Sequence, residues 1–247
     1  MRFMLYNIRY GTGAGWRFHV PFPFSGYLRS SRLNFDKIVD FLREQAPDII
    51  GLIEVDIGSY RSGRVNQAER IAAELGGAHV YESKYGTASL AKRVPVLREQ
   101  GNAFITLHDI TASGFHYFEQ GVKRLVIELE FENFVIFLVH LSLHYRHRQY
   151  QLSDLHTMFT AVTKPMLVAG DFNAFWGSRE LDLFMAATNL KNANVDGFPS
   201  FPSYSPRQQL DFILHSPEVN IESFRIPNVA HSDHLPLVCD FDVPDAV

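Results

Sequence analysis

The sequence predicts a domain of mixed α/β or α+β class, and three observations point there. Apolar residues recur at helical spacing in three segments, and short apolar or alternating runs of strand character lie between them. Some of those strands follow one another with no helix between, which a purely parallel sheet does not allow. The 247 residues are 46% hydrophobic and 20% charged, enough apolar mass for a substantial core. No internal repeat, low-complexity tract or linker divides the chain, so one domain spanning 1–247 is expected.

The elements follow in order. A strand begins almost at once, in Met1-Arg2-Phe3-Met4-Leu5-Tyr6-Asn7. Phe35, Ile38, Val39 and Leu42 form a helical stripe after Asn34, which reads as an N-cap, and Pro47 stops the segment. Asp48–Glu54 and Phe134–His140 are nearly continuous apolar runs, as in strands covered on both faces. Ala68, Ile71, Ala72 and Leu75 make a second helix, with Asn66 and Glu69 in capping-box spacing and Gly76-Gly77 at its close. Leu125, Ile127, Leu129 and Phe131 alternate with Arg124, Val126, Glu128 and Glu130, a half-exposed strand. Leu152, Leu155, Phe159 and Val162 give a third helix ending near Pro165; Met166–Ala169, Leu210–Leu214 and Leu235–Phe241 complete the strands. Two long loops remain, one over 10–32 rich in glycine and aromatics and one over 189–209 carrying three prolines. Loops of that length in a small domain tend to carry function.

Composition narrows the function. The formal net charge is -4, so no basic excess favours nucleic acid as partner. The single cysteine, Cys239, excludes a disulfide framework and a multi-cysteine zinc site, and its apolar neighbours mark it as a buried strand thiol. No segment approaches the roughly 18–20 apolar residues that span a bilayer, and the first apolar stretch is too short for a secretory signal. Cytoplasmic residence and a monomer are the default expectations.

The informative pattern is where polar residues interrupt apolar strands. Asn7, Glu54, His140, Asp171 with Asn173, Asp211, and Asp233-His234 each stand at a strand end, where a rigid scaffold holds binding groups. Singly, each has an ordinary explanation: Asp after Gly170 forms turns, a lone histidine satisfies a local bond, and Asn7 caps a turn. Together they ask for more. Four converging carboxylates would repel and take up protons unless a cation neutralised them. Hard oxygen donors suit Mg²⁺ or Mn²⁺ better than zinc, and such an ion serves phosphate chemistry.

Six runs carry a specific likeness: Leu5-Tyr6-Asn7-Ile8-Arg9, Gly51-Leu52-Ile53-Glu54-Val55, Val139-His140-Leu141, Gly170-Asp171-Phe172-Asn173-Ala174, Leu210-Asp211-Phe212-Ile213-Leu214 and Ser232-Asp233-His234-Leu235-Pro236. In that order, along essentially the whole chain, they resemble the motif series of the endonuclease/exonuclease/phosphatase superfamily. The resemblance implies a DNase I-like four-layer α/β/β/α sandwich of two mixed β-sheets, and a hydrolase of phosphate esters dependent on one or two Mg²⁺ or Mn²⁺ ions. It further implies Glu54 as principal metal ligand with Asn7 beside it, and Asp233 assisting at the metal or at a second metal site. His140 would meet the scissile phosphate or protonate the leaving group, and Asp171 and Asn173 would position and activate the attacking water. Asp211 would pair with His234, with either Asp171 or His234 as the base. One departure is visible: Ile53 stands where the family commonly has glutamine.

Runs typical of AP endonucleases and inositol 5-phosphatases are missing, and the stretch from His140 to His144 is closer to phosphodiesterases, sphingomyelinases and DNase I. Arg124, His144, Arg146 and Arg148 are candidates for binding substrate phosphate, the last two competing with a role as the solvated first turn of a helix. The leading reading is a phosphodiesterase or phosphatase acting on a small or lipid-linked phosphate ester. A DNA or RNA nuclease of the same mechanism is the alternative, and a non-catalytic binding module on the same scaffold is third. The aromatic loop, with Trp16, Phe18, Phe22, Phe24 and Tyr27, is expected beside the site.

Overall fold

Side chains of the first strand, β1 (Arg2–Asn7), alternate between two cores and so set the layering. Phe3 and Leu5 face a cluster shared with Leu125, Ile127, Leu138, Leu167 and Ile213. Met4 and Tyr6 face another, with Ile38, Leu42 and Ile71. A computed structural model describes residues 1–15, 32–84, 97–121 and 123–244 of the protein.

After β1 come α1 (Arg32–Gln45), β2 (Ile49–Asp56), α2 (Gln67–Leu75), β3 (Ala78–Ser83) and β4 (Gln100–Thr106). Then follow β5 (Ala112–Tyr117), β6 (Leu125–Glu130), β7 (Val135–His140), α3 (Tyr145–Phe159) and β8 (Met166–Asp171). The rest is α4 (Asp182–Thr188), β9 (Lys191–Asn192), β10 (Asp211–His215), β11 (Asn220–Arg225) and β12 (Leu237–Asp242). One sheet runs β11-β12-β1-β2-β4-β3 and the other β5-β6-β7-β8-β10-β9. They pack face to face through the first core, α1 and α2 cover one outer face, and α3 and α4 cover the other. This is the α/β/β/α sandwich that the resemblance implies.

Topology gathers the strand ends. Each sheet has one parallel pair, β1 with β2 and β7 with β8, joined across α1 and α3 respectively. The parallel pairing puts Asn7 opposite Ile53, next to Glu54, and His140 opposite Asp171. β10 runs antiparallel to β8, with Asp211 opposite Asp171. β12 is antiparallel to β1, so the Asp233-His234 pair preceding it returns to the end where β1 finishes.

One sequence expectation changes, and several elements had no expectation to meet. Asn34 does not cap α1, which already begins at Arg32; its amide instead donates to the carbonyls of Gly11 at 3.3 Å and His231 at 2.8 Å. Strands β3, β4, β5, β9 and β11 and helix α4 carry no signal strong enough to be read from the sequence, because they are short, polar at alternate positions, or interrupted by Gly101 and Gly114. Asn66 does cap α2, accepting from Ala68 and Glu69, and Gly76 ends it in the left-handed conformation. Among the described residues no helix is long and apolar enough to cross a membrane. The aromatics of the 10–32 loop lie outside the described residues, apart from Tyr10.

Gly170 shows how tightly the site's base is packed. A Cβ there would lie 2.0 Å from the Val139 carbonyl oxygen, between the strands that end in His140 and Asp171. Gly170→Ala is therefore expected to cost about 3 kcal/mol or more through backbone displacement, read as a lower urea midpoint; an unchanged midpoint would contradict this packing.

Candidate active site

Glu54 interrupts the apolar run of β2 at an irregularity in its pairing with β4, between Leu52 and Val55, and has φ of 59°. Left-handed backbone at a residue other than glycine costs free energy and needs local support. Asn102 of β4 supplies it, its Oδ1 accepting the Glu54 N–H at 3.2 Å. The Glu54 carboxylate then meets two ammonium groups: Lys84 Nζ at 3.3 Å and Lys123 Nζ at 4.0 Å. Burial would raise this carboxyl's pKa, but the two lysines outweigh it and bring the value down to about 2. Lys84, just past β3, also donates to the Tyr10 hydroxyl at 2.9 Å, and burial lowers its own pKa to about 8.

His140 lies between the charges. Its Nε2 touches Lys123 Nζ and stands 3.3 Å from Asp171 Oδ2. Burial, with the two lysines, lowers its pKa to about 3, so the ring is neutral. Asn7 Nδ2 donates to the same Asp171 oxygen at 3.2 Å. Burial opposes ionisation of Asp171, yet the hydrogen bond from His140 and the charges of His234 and Lys123 hold its pKa below the usual carboxylate range. Its other oxygen accepts the Asn173 N–H at 3.0 Å. Asn173, itself at φ 51°, spends its amide N–H on the Leu141 carbonyl at 2.9 Å, tying the loops after β7 and β8 together.

The second half of the site is an acid–imidazole pair. His234 Nδ1 is 2.7 Å from Asp211 Oδ2, which also accepts the Ser200 hydroxyl at 2.6 Å, while His234 Nε2 points to Asp171 Oδ2 at 4.0 Å. Burial disfavours the charged ring, but Asp211 overcomes that and raises the His234 pKa to about 10. The 189–209 loop clamps this motif: the Ser203 N–H donates to the Asp233 carbonyl and the Leu235 N–H to that of Ser200. Asp233 is ion-paired with the buried Arg9 at 3.2 Å, and Arg9 feels the charges of both Asp233 and Glu54.

Asn7, Glu54, His140, Asp171, Asn173, Asp211, Asp233 and His234 thus all border one site. Two basic candidates do not. Arg148 is buried, bonded to Glu180 at 2.6 Å and to the carbonyls of Ser142 and Leu143; it is a fastening between loops, because its helical position turns inward. Arg124 spends its guanidinium on the Phe118 carbonyl, at the base of the β5–β6 hairpin. His144 precedes α3, its ring 4.8 Å from that of His147, and Arg146 is exposed on the first turn. Sequence reading missed Arg9, Lys84, Asn102, Lys123 and Ser200. Arg9 stood inside a recognised run, but Lys84 follows a strand too polar to notice, and Lys123 is one residue from the chosen Arg124.

The residues present fit a divalent cation. Asp171, Asp211 and His234 can each place a ligand atom within 4.8 Å of the others. Asp211 Oδ1, an acceptor oxygen, is buried without a hydrogen-bond partner among the described residues, a cost that a bound cation or water would remove. Within this set, the 2.7 Å contact of Asp211 with His234 is the spacing of a charge-assisted hydrogen bond. The pole around Glu54, Asn7 and Asp171 offers the hard oxygens that magnesium-like ions prefer.

Comparisons with known proteins bear on this arrangement. The model of the Endonuclease/Exonuclease/phosphatase family matches residues 4–234. No curated protein sequence matches. Among solved structures, a mannosyl-6-phosphatase from Bacteroides thetaiotaomicron superposes with a TM-score of 0.71 at 15% identity, covering 98% of this chain and 99% of that one. The human Nocturnin catalytic domain with bound sulfate gives 0.69 at 20%, covering 98% and 93%. A functionally unknown protein from Enterococcus faecalis V583 gives 0.70 at 14%, covering 99% and 100%. At such identities these likenesses establish the shared fold.

The structural reading of Arg148 has a direct test. Arg148→Met strands the Glu180 carboxylate in a buried place and should cost about 3 kcal/mol. Adding Glu180→Leu should recover most of that loss in urea denaturation; no recovery in the double variant would argue against the pairing.

Proposed function

Because this chain belongs to the endonuclease/exonuclease/phosphatase family of phosphoric-ester hydrolases, we propose that its acidic, lysine-flanked site hydrolyses a small or lipid-linked phosphate ester with the help of bound Mg²⁺ or Mn²⁺. The family generally depends on divalent metal. The single observation that carries the reading is the juxtaposition of two poles. On one side a hard-oxygen group, Glu54 with Asn7, is flanked by two ammonium groups; on the other a buried Asp211–His234 pair stands 4.0 Å from Asp171.

Glu54, Asn7 and Asp171 would hold the cation, with Asp233 at its edge or at a second ion. When bound, the ion supplies charge neutralisation at the phosphoryl oxygens and acidifies a water. Lys84 and Lys123, whose ammonium groups lie at Glu54, move onto the non-bridging phosphate oxygens, where they offset charge that grows toward the transition state. Asp171 is a carboxylate at neutral pH and accepts a hydrogen bond from the attacking water. Asn173 keeps the Asp171 loop in place. The neutral His140 hydrogen-bonds the phosphoryl group, and the His234 imidazolium, held in one orientation by Asp211, gives a proton to the departing oxygen. Ser200 fixes Asp211 in turn, so the proton donor is positioned before substrate arrives.

Hydrolysis of bis-p-nitrophenyl phosphate is the test. It should appear with Mg²⁺ or Mn²⁺ and vanish with chelator, and Glu54→Gln and His234→Ala should each slow it by about 100-fold or more. Undiminished rates in both variants would refute the assignment.

A further inference from the structure

Beyond the groups that handle phosphate, one wall of the site is aromatic. The Phe201 ring lies 4.8 Å from that of His234, with 49° between their planes. Phe175 meets Phe201 edge to face, at 6.3 Å and 85°. Trp176 follows with 79% of its surface exposed, and Leu143, in the loop after β7, is 61% exposed. Large apolar side chains held open to solvent beside a reactive centre mark a binding surface when the backbone beneath them is fixed.

That backbone is fixed. Arg148 donates to the carbonyls of Ser142 at 3.0 Å and Leu143 at 2.9 Å, and it pairs with one carboxylate oxygen of Glu180. The other Glu180 oxygen accepts the Trp176 N–H at 2.9 Å. One buried ion pair therefore anchors both loops whose side chains stay outside. Phe201 is anchored from its own side, by its backbone bridge to Gln208 and by its neighbour Ser200 on Asp211. A surface ordered in advance binds without the entropic cost of ordering it later.

We propose that Phe201, Phe175 and Trp176 form a stacking platform for a planar aromatic group carried by the phosphoryl substrate. This rests on the phosphoester reading above and narrows its substrate class. Direction supports it: the ring series begins at His234, so a group esterified to phosphate there reaches Phe201 first and Phe175 next, with Trp176 adjoining Phe175 in the chain. Chemistry supports it too. Aromatic faces attract flat rings by stacking whatever their substituents, whereas an acyl chain gains most from a groove that encloses it.

The test uses Trp176 as its own reporter. The chain has two tryptophans, so Trp16→Phe leaves Trp176 as the only one. Titration of that protein with diphenyl phosphate in Mg²⁺ should shift the tryptophan emission at concentrations at least fivefold below those needed by diethyl phosphate. Phe175→Ala in the same background should weaken the diphenyl phosphate response fivefold or more. In turnover, Trp176→Ala should lower kcat/KM for bis-p-nitrophenyl phosphate relative to ethyl p-nitrophenyl phosphate, which shares its leaving group. Leu183→Ala, an exposed change on α4, should leave that ratio alone. Equal responses to the two phosphates, or none to either, overturn the platform. Because emission needs no turnover, a protein that hydrolyses both esters yet fails the titration loses only the platform, and one that passes it without hydrolysis loses only the reaction.

Discussion

Charge compensation at one end of the sandwich is the constraint to which the rest of the structure answers. Glu54, Asp171, Asp211 and Asp233 are drawn into a space largely closed to water, where unpaired carboxylates would not stay ionised. Arg9, Lys84, Lys123 and His234 stand against them within about one ion-pair distance each. Neither set is stable alone. The balance keeps Asp171 a carboxylate while its neighbour His140 is neutral and His234 is charged. Burial opposes charge on both imidazoles; beside His140 two ammonium groups add to it despite Asp171, whereas beside His234 the carboxylates of Asp211, Asp171 and Asp233 overcome it. That difference permits one to accept or orient and the other to donate.

Holding such a cluster demands an unyielding frame. Glu54, Asn173, Arg9 and Tyr10 all adopt positive φ without being glycine. They are gathered where β1, β2 and β8 end, and each is supported by a specific bond, such as Asn102 on the Glu54 N–H and Asp171 on the Asn173 N–H. The strain is sustained because the strands below are buried on both faces and their pairing leaves no slack, as Gly170 against Val139 shows. The 189–209 loop extends the same logic outward, since its serines hold Asp211 and the Asp233-His234 turn together.

Much of the site was legible in the sequence because the signal is local. A polar residue that ends an apolar strand is conspicuous, and Asn7, Glu54, His140, Asp171, Asp211 and His234 all do so. Arg146 and Arg148 show the limit. Two positions apart on one helix, they differ by about 200° in direction, so one is exposed and the other buried against Glu180. Sequence spacing states that angle but not which side faces inward. Lys84 and Lys123 were unreadable for a different reason. Each lies at an inconspicuous chain position, and only the pairing of β3 with β4 and the approach of the second sheet bring them to Glu54.

By itself, the sequence determined the periodicities that make strands and helices, and the chemical types waiting at the strand ends, because both are set by neighbours a few residues apart. Tertiary structure decided which cations meet which carboxylates, which histidine carries charge, and which aromatics stay outside. Those outcomes depend on register between strands and on burial, quantities that arise only when residues more than a hundred positions apart, such as Asn7 and Asp171, share the same few ångströms of dry space.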